Sequence, residues 1–352
     1  MVVSVLFVGF AAGQLFYGPA SDSLGRKPPI YAGLAIFLVG TVLAMTAPTF
    51  PVMLVGRVLQ GFGAAAPRIV VLALIRDRYE GRAMARIMSF IMAVFIFVPM
   101  VAPSLGQAVL LVADWRAIFG LLLTLACAVL VWFAARQPET LDADSRRPFS
   151  RSAILGAVVE VLQSRTALGY TIAAGFVFGA FLGYLNSAQQ ILQIQYGLGR
   201  QFPLFFAALA LSLGVASVFN ARFVVRYGMR TLSWRALQGL TLLSTAFAIY
   251  AWNAGGSPPL WTVMTWGPLT FFCLGLVFGN FNALAIDSMG HIAGVAAAVI
   301  GSLSTLISVG FGIAIGQSYN GTILPLVGGF AVLGLASLTT MMIVERGSPV
   351  SV

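Results

Sequence analysis

The feature that most constrains this chain is a series of apolar runs, each about 18 to 25 residues long and set between polar, Gly or Pro breaks. They fall at roughly 1–20, 30–47, 52–75, 84–112, 117–135, 168–192, 203–225, 232–252, 260–286, 294–316 and 322–344. That length is what an α-helix needs to cross a bilayer, and it is not the alternating ten-residue pattern of a membrane barrel. In lipid every backbone N–H and C=O must be paired, so the expected fold class is an all-α polytopic membrane protein with eleven spans. Composition agrees. With 59% hydrophobic and 9% charged residues, and a mean hydropathy of +0.96, the chain carries more apolar surface than a soluble domain of 352 residues can hide.

A net charge of +10 in a soluble protein would point to nucleic acid, but here the cations sit in short loops between apolar runs. When alternate loops are assigned to opposite faces, one face collects Arg26, Lys27, Arg76, Arg78, Arg82, Arg86, Arg136, Arg146, Arg147, Arg151, Arg165, Arg222, Arg226, Arg230, Arg235 and Arg346. The other face holds only Arg116 and Arg200. The positive-inside rule then places the first face, and the carboxyl terminus, in the cytoplasm. The expected partner is the lipid bilayer, not nucleic acid. Cys127 and Cys273 lie inside apolar runs and read as buried small hydrophobes rather than a disulfide. A single histidine, His291, argues against a histidine metal site and reads as a solvated loop residue. No nucleophile–base or metal cluster argues for an enzyme.

The one long polar stretch divides the spans. The expected organisation is a bundle of five spans over 1–135, a cytoplasmic linker over 136–167, a bundle of six spans over 168–344 and a tail over 345–352. Within the linker, Ser152 to Gln163 reads as a short helix lying on the membrane surface. An internal repeat supports the division. Gly25-Arg26-Lys27 recurs as Gly228-Met229-Arg230, and a shift of 203 residues carries spans 203–225, 232–252, 294–316 and 322–344 onto spans of the first half. The same shift sends span 168–192 to a place before residue 1. The expectation is a twelve-span parent architecture whose first helix is missing here.

Several motifs carry chemistry. The first loop reads Gly18-Pro-Ala-Ser-Asp22-Ser-Leu-Gly25-Arg26-Lys27-Pro28. Gly18 and Gly25 allow a tight return between helices, Asp22 is placed to cap or face the positive end of the next helix, and Arg26 and Lys27 anchor the loop at the membrane face. In the third span, Arg57-Val-Leu-Gln60-Gly61-Phe-Gly63-Ala64-Ala65-Ala66 combines small residues for close helix approach with an arginine that needs a partner or a wet cavity. Arg68 returns to the face of Arg57 after about three turns. The fourth span carries Pro99-Met-Val-Ala-Pro103-Ser-Leu-Gly106-Gln107, where two prolines break one face of the hydrogen-bond ladder and Gly106 permits close packing at the bend.

The loop string resembles the signature loop of the major facilitator superfamily, Gly-x-x-x-Asp-x-x-Gly-Arg-Arg/Lys, and the third-span run resembles its Arg-x-x-Gln-Gly motif. The fourth-span run is similar to the Gly-Pro-x-x-Gly motif of the superfamily's antiporters, with Ala102 where that motif has Gly. Trp115-Arg116-Ala-Ile-Phe119, Pro138-Glu139-Thr140-Leu141 and Ile292-Ala-Gly294 resemble the bicyclomycin-resistance (Bcr/CflA) type of drug:proton antiporter. The resemblance extends over nearly the whole chain. It implies two pseudo-symmetric helical bundles and efflux of small lipophilic or amphipathic drug-like compounds in exchange for protons. It also implies no cofactor beyond the proton gradient, a monomer, and a role for Arg57 in proton transfer. A nutrient importer, or a truncated product that transports nothing, is the alternative.

Two further readings concern the path itself. Asn186, Gln189, Gln190 and Gln193 fall at i, i+3, i+4 and i+7 of the sixth span and form a polar stripe, which faces either a substrate path or neighbouring helices. Tyr17, Phe95 and Tyr184 are candidate aromatic walls. None of the ten acidic residues falls mid-membrane, whereas proton exchange is usually served by a buried carboxylate. The resemblance places that carboxylate in the first helix of the parent architecture.

Overall fold

The computed structural model describes residues 1–345 except Glu80, Ala143, Ser145, Arg147, Pro148, Ser288, Gly290 and His291. The side chains of Arg76, Gly81, Arg82, Ala85, Met88, Ser89, Met92, Ala93, Phe95, Ile96, Pro99, Arg151 and Ala153 are also outside the description. The readings made above for His291, Phe95, Pro99 and the end of the tail therefore lie outside the described residues.

The chain is helical from Val2 onwards. Five long helices come first: α1 (Val2–Leu24), α2 (Lys27–Thr46), α3 (Phe50–Arg78), α4 (Gly81–Leu110) and α5 (Arg116–Arg136). A short α6 (Arg151–Gln163) precedes α7 (Arg165–Gln189), which runs on into a π-helical turn at Gln190–Gln195. The last five are α8 (Phe202–Tyr227), α9 (Met229–Asn253), α10 (Leu260–Asp287), α11 (Ala293–Gln317) and α12 (Leu324–Glu345). Among the described residues nine helices are long and apolar enough to cross a membrane. The two long helices outside that number are α4 and α9, and Arg230, Arg235 and Gln238 dilute the apolarity of α9.

Local chemistry sets the helix starts. Prolines occupy the first turns of α2, α3 and α8, where the missing N–H costs nothing and the fixed φ favours the helix. Glycine sets how closely helices cross. A Cβ on Gly9 of α1 would meet the carbonyl of Val58 on α3, and one on Gly61 of α3 would meet the carbonyl of Leu6 on α1. The small-residue run in the third span therefore provides the close approach read from the sequence.

In the first group, α3 packs along both α1 and α2, and α5 packs on α2. In the second group α7 is central, touching α10, α11 and α12, while α9 packs on α10 and α12 and α8 on α10. The groups meet along two seams, α1 with α11 and α4 with α8. Because the 203-residue shift turns α8 into α1 and α11 into α4, the two seams are one interface used twice. The first group contains no described helix in the place that α7 holds in the second. As a result α4 packs chiefly on α8, across the seam, and only lightly on α3 and α5.

Candidate functional site

The loop between α1 and α2 is built around one buried guanidinium. Arg26 is 6% exposed and grips both oxygens of Asp77 at the end of α3, with Nε donating to Oδ2 at 2.7 Å and Nη2 to Oδ1 at 3.2 Å. Its Nη1 donates to Asp22 Oδ1 at 2.6 Å and to Ser21 Oγ at 3.1 Å. Burial works against the charge, but the bonds to Asp77 and Asp22 outweigh it and raise the pKa of Arg26. Asp22 is thus occupied with Arg26 and does not cap α2, one of the two roles its place in the sequence offers.

Glu139, reaching in from beyond α5, does that work instead. It accepts the backbone N–H of Arg26 at 2.8 Å, of Lys27 at 3.0 Å, of Thr140 at 2.9 Å and of Leu141 at 3.1 Å. Burial alone would raise its pKa, yet these four donors hold the carboxyl below its ordinary 4.5. Thr140 Oγ1 also donates to Asp77 Oδ2 at 3.0 Å, closing a ring of contacts that joins α1, α2, α3 and the segment after α5. Gly25 is required here. Its φ of +97° is a glycine conformation, and a Cβ would stand 2.8 Å from Glu139 Oε2. Gly18, by contrast, is not part of a turn. It lies inside α1, with its Cβ position 3.9 Å from the Ala298 Cβ of α11 across the seam. The Lys27 ammonium stands 5.6 Å over the Tyr31 ring.

A second polar chain crosses the interior of the first group. Arg57 Nη1 donates to Gln60 Oε1 at 3.0 Å, Gln60 Nε2 to Thr41 Oγ1 at 2.7 Å, and Thr41 Oγ1 to the carbonyl of Phe37 at 2.7 Å. Gln60 and Thr41 are fully buried. The Arg57 guanidinium also lies 5.5 Å from the Phe119 ring centroid of α5, and Arg68 lies 5.6 Å from that of Phe10 on α1. Thr41 was missed in the sequence because a lone threonine in an apolar run has no distinguishing pattern. Tyr17 is fully buried against Phe16 and Phe62, whereas Tyr184, its ring centroid 4.8 Å from that of Phe271, lines a small cavity with Phe271, Ala188 and Trp266.

The polar stripe on α7 is broken up. Asn186 Nδ2 donates to Ser4 Oγ of α1 at 2.7 Å and to the carbonyl of Gly312 on α11 at 3.0 Å. Beyond it the π-turn widens the helix, so the i, i+4 phase does not carry through. Gln189 is exposed, Gln190 and Gln193 are half-buried, and Gln195 instead bonds the Gly256 carbonyl and Ser257. Two other contacts join the groups: Gln14 Nε2 donates to Thr305 Oγ1 at 3.4 Å, and the Phe7 and Phe178 rings meet edge to face at 5.6 Å. In α4 the helix continues through Pro103, and a Cβ on Gly106 would meet nothing within 4 Å. Among the described residues the close packing expected at Gly106 is therefore absent.

The model of the Major Facilitator Superfamily matches residues 1–315. The chain belongs to this superfamily. Among its curated relatives, the bicyclomycin resistance protein homolog of Haemophilus influenzae is 31% identical over 304 residues, covering 84% of this chain and 74% of that protein. Multidrug resistance protein D of Escherichia coli is 27% identical over 370 residues, covering 99% and 88%. The fold of this superfamily member is also that of the xylose transporter XylE from E. coli in a partially occluded inward-open conformation. That match has a TM-score of 0.75 at 12% identity and covers 99% of this chain and 86% of that one. The protein is thus a multi-pass membrane transporter of the superfamily rather than an enzyme, with drug-efflux relatives. Superfamily drug-efflux transporters need no cofactor.

Proposed function

We propose that this superfamily member works as a monomer, exporting small lipophilic or amphipathic compounds across the bacterial inner membrane in exchange for protons. It would do so by exposing the space between its two bundles to each face in turn. The observation that carries the reading is the make-up of the seam. Small residues, one ring pair and single hydrogen bonds such as Asn186–Ser4 and Gln14–Thr305 join the bundles. Interhelical bonds of this kind are worth about 0.6 kcal/mol each in a membrane, so rocking costs little.

In this reading Arg57, Gln60 and Arg68 serve the polar path with Asn186, Gln189, Gln190 and Gln193. Asp22, Arg26 and Lys27 latch the cytoplasmic end, where the carboxyl terminus also lies. The names of the relatives supply the substrate class. Proton coupling is the finer part of the proposal, since among the described residues Asp77, Asp287 and Glu345 stand at helix ends. Purified protein in liposomes, given an outward or inward gradient of a lipophilic cation, should move protons in the opposite direction. Substrate movement without proton movement would retain export and remove coupling.

A further inference from the structure

The helix α6 divides its surface among three environments. Ala157 and Val161 are 3% and 0% exposed and, with the partly buried Val158, join the core of the second group through contacts with α7 and α11. At 100° per residue these three positions span about 100° of the helix. Ser152, Gly156 and Gln163 are exposed and share a second sector about 40° wide. The third sector, about 60° wide, holds Leu155, Val159 and Leu162, which are 65%, 50% and 48% exposed. A water-facing helix of thirteen residues has no reason to carry a continuous apolar stripe beside the face it already buries.

The depth of α6 identifies what covers that stripe. Only Ser164 separates α6 from α7, and its hydroxyl caps α7 by accepting from Ala167 N at 3.2 Å. The last turn of α6 is therefore one residue from the start of a membrane span. Arg165 follows at once, exposed, with its guanidinium donating to the Ile343 carbonyl of α12. An exposed cation just past an apolar stripe matches the phosphate zone above an acyl boundary.

We infer that α6 is seated in the bilayer surface, its Leu155, Val159 and Leu162 stripe inserted among lipid and its Ala157, Val158 and Val161 face bound to the second bundle. The linker is thereby a lipid-anchored strap that moves with that bundle. This inference does not depend on what is transported.

Site-directed spin labelling tests it. In a Cys127→Ser, Cys273→Ser background, single cysteines at Leu155, Val159 and Leu162, and at Ser152, Gly156 and Gln163, are labelled in phosphatidylcholine–phosphatidylglycerol vesicles. Relaxation by oxygen and by a water-soluble nickel chelate is then compared. The inference expects oxygen to dominate at the first three positions and nickel at the other three, a reversal within one helical turn. Nickel dominance at all six would put the stripe in water. Exclusion of both reagents from Leu155, Val159 and Leu162 would put it against protein, including a second copy of this chain. Either result overturns the inference.

Discussion

The side-chain amide of Asn186 bridges the two bundles, with Ser4 Oγ at 2.7 Å on one side and the Gly312 carbonyl at 3.0 Å on its own side. One hydrogen serves the moving partner and the other keeps the amide fixed when that partner leaves. Beside it, the Phe7 and Phe178 rings close the same end of the seam. Asn186→Leu removes both donors while roughly preserving volume. It should favour separation of the bundles at this end, so maleimide labelling of a Phe178→Cys reporter should rise severalfold. Unchanged labelling would show that the bond does not hold the seam.

Gly25→Ala should destabilise the loop between α1 and α2. The residue would be forced to φ +97° and its Cβ against Glu139 Oε2. Strain of this kind costs about 1–3 kcal/mol. Thermal unfolding in detergent should shift down by several degrees, whereas Gly106→Ala, which meets open space, should not move it.

The Glu139 carboxyl titrates lower in the folded chain than its ordinary 4.5. Its contribution to stability is therefore complete above the unfolded value and is lost as pH falls through the folded one. Glu139→Gln should destabilise the protein at pH 7 and flatten the fall in stability below about pH 4.5, compared with the parent chain. Parallel acid profiles for the two proteins would contradict the capping role.

Within α3, Gln60→Leu removes the partner that Arg57 and Thr41 share, leaving Arg57 its bond to the Val2 carbonyl and Thr41 its bond to the Phe37 carbonyl, at a cost of about 1–3 kcal/mol for the lost buried bonds. Export should fall by about fivefold to somewhat over a hundredfold if that loss is expressed along the path. Thr41→Val, which removes only the far acceptor of the amide, should have a smaller effect. Equal effects would assign both residues to packing alone.

The helices were legible because lipid imposes a length and an apolarity that each run shows independently, and because the 203-residue shift superposes the halves. The loop signature groups Gly18, Asp22, Gly25, Arg26 and Lys27, and within it Asp22 pairs with Arg26. What escaped was long-range pairing. Asp77 and Glu139 stand 51 and 113 residues from Arg26, and nothing local links them. A basic residue in a tight loop, and an acid directly after Pro138 at the end of a span, were the available signals. The Gln190–Gln195 turn escaped for another reason: a π-turn breaks the 3.6-residue phase on which the stripe from Asn186 to Gln193 was read.

The central claim is export, and the most direct measurement is the accumulation of a fluorescent lipophilic cation by efflux-deficient bacteria producing this chain in their membrane. The account predicts accumulation well below that of cells carrying empty vector, returning to the vector level when a protonophore collapses the gradient. Accumulation equal to the vector control, with the protein present and folded in the membrane, would contradict it.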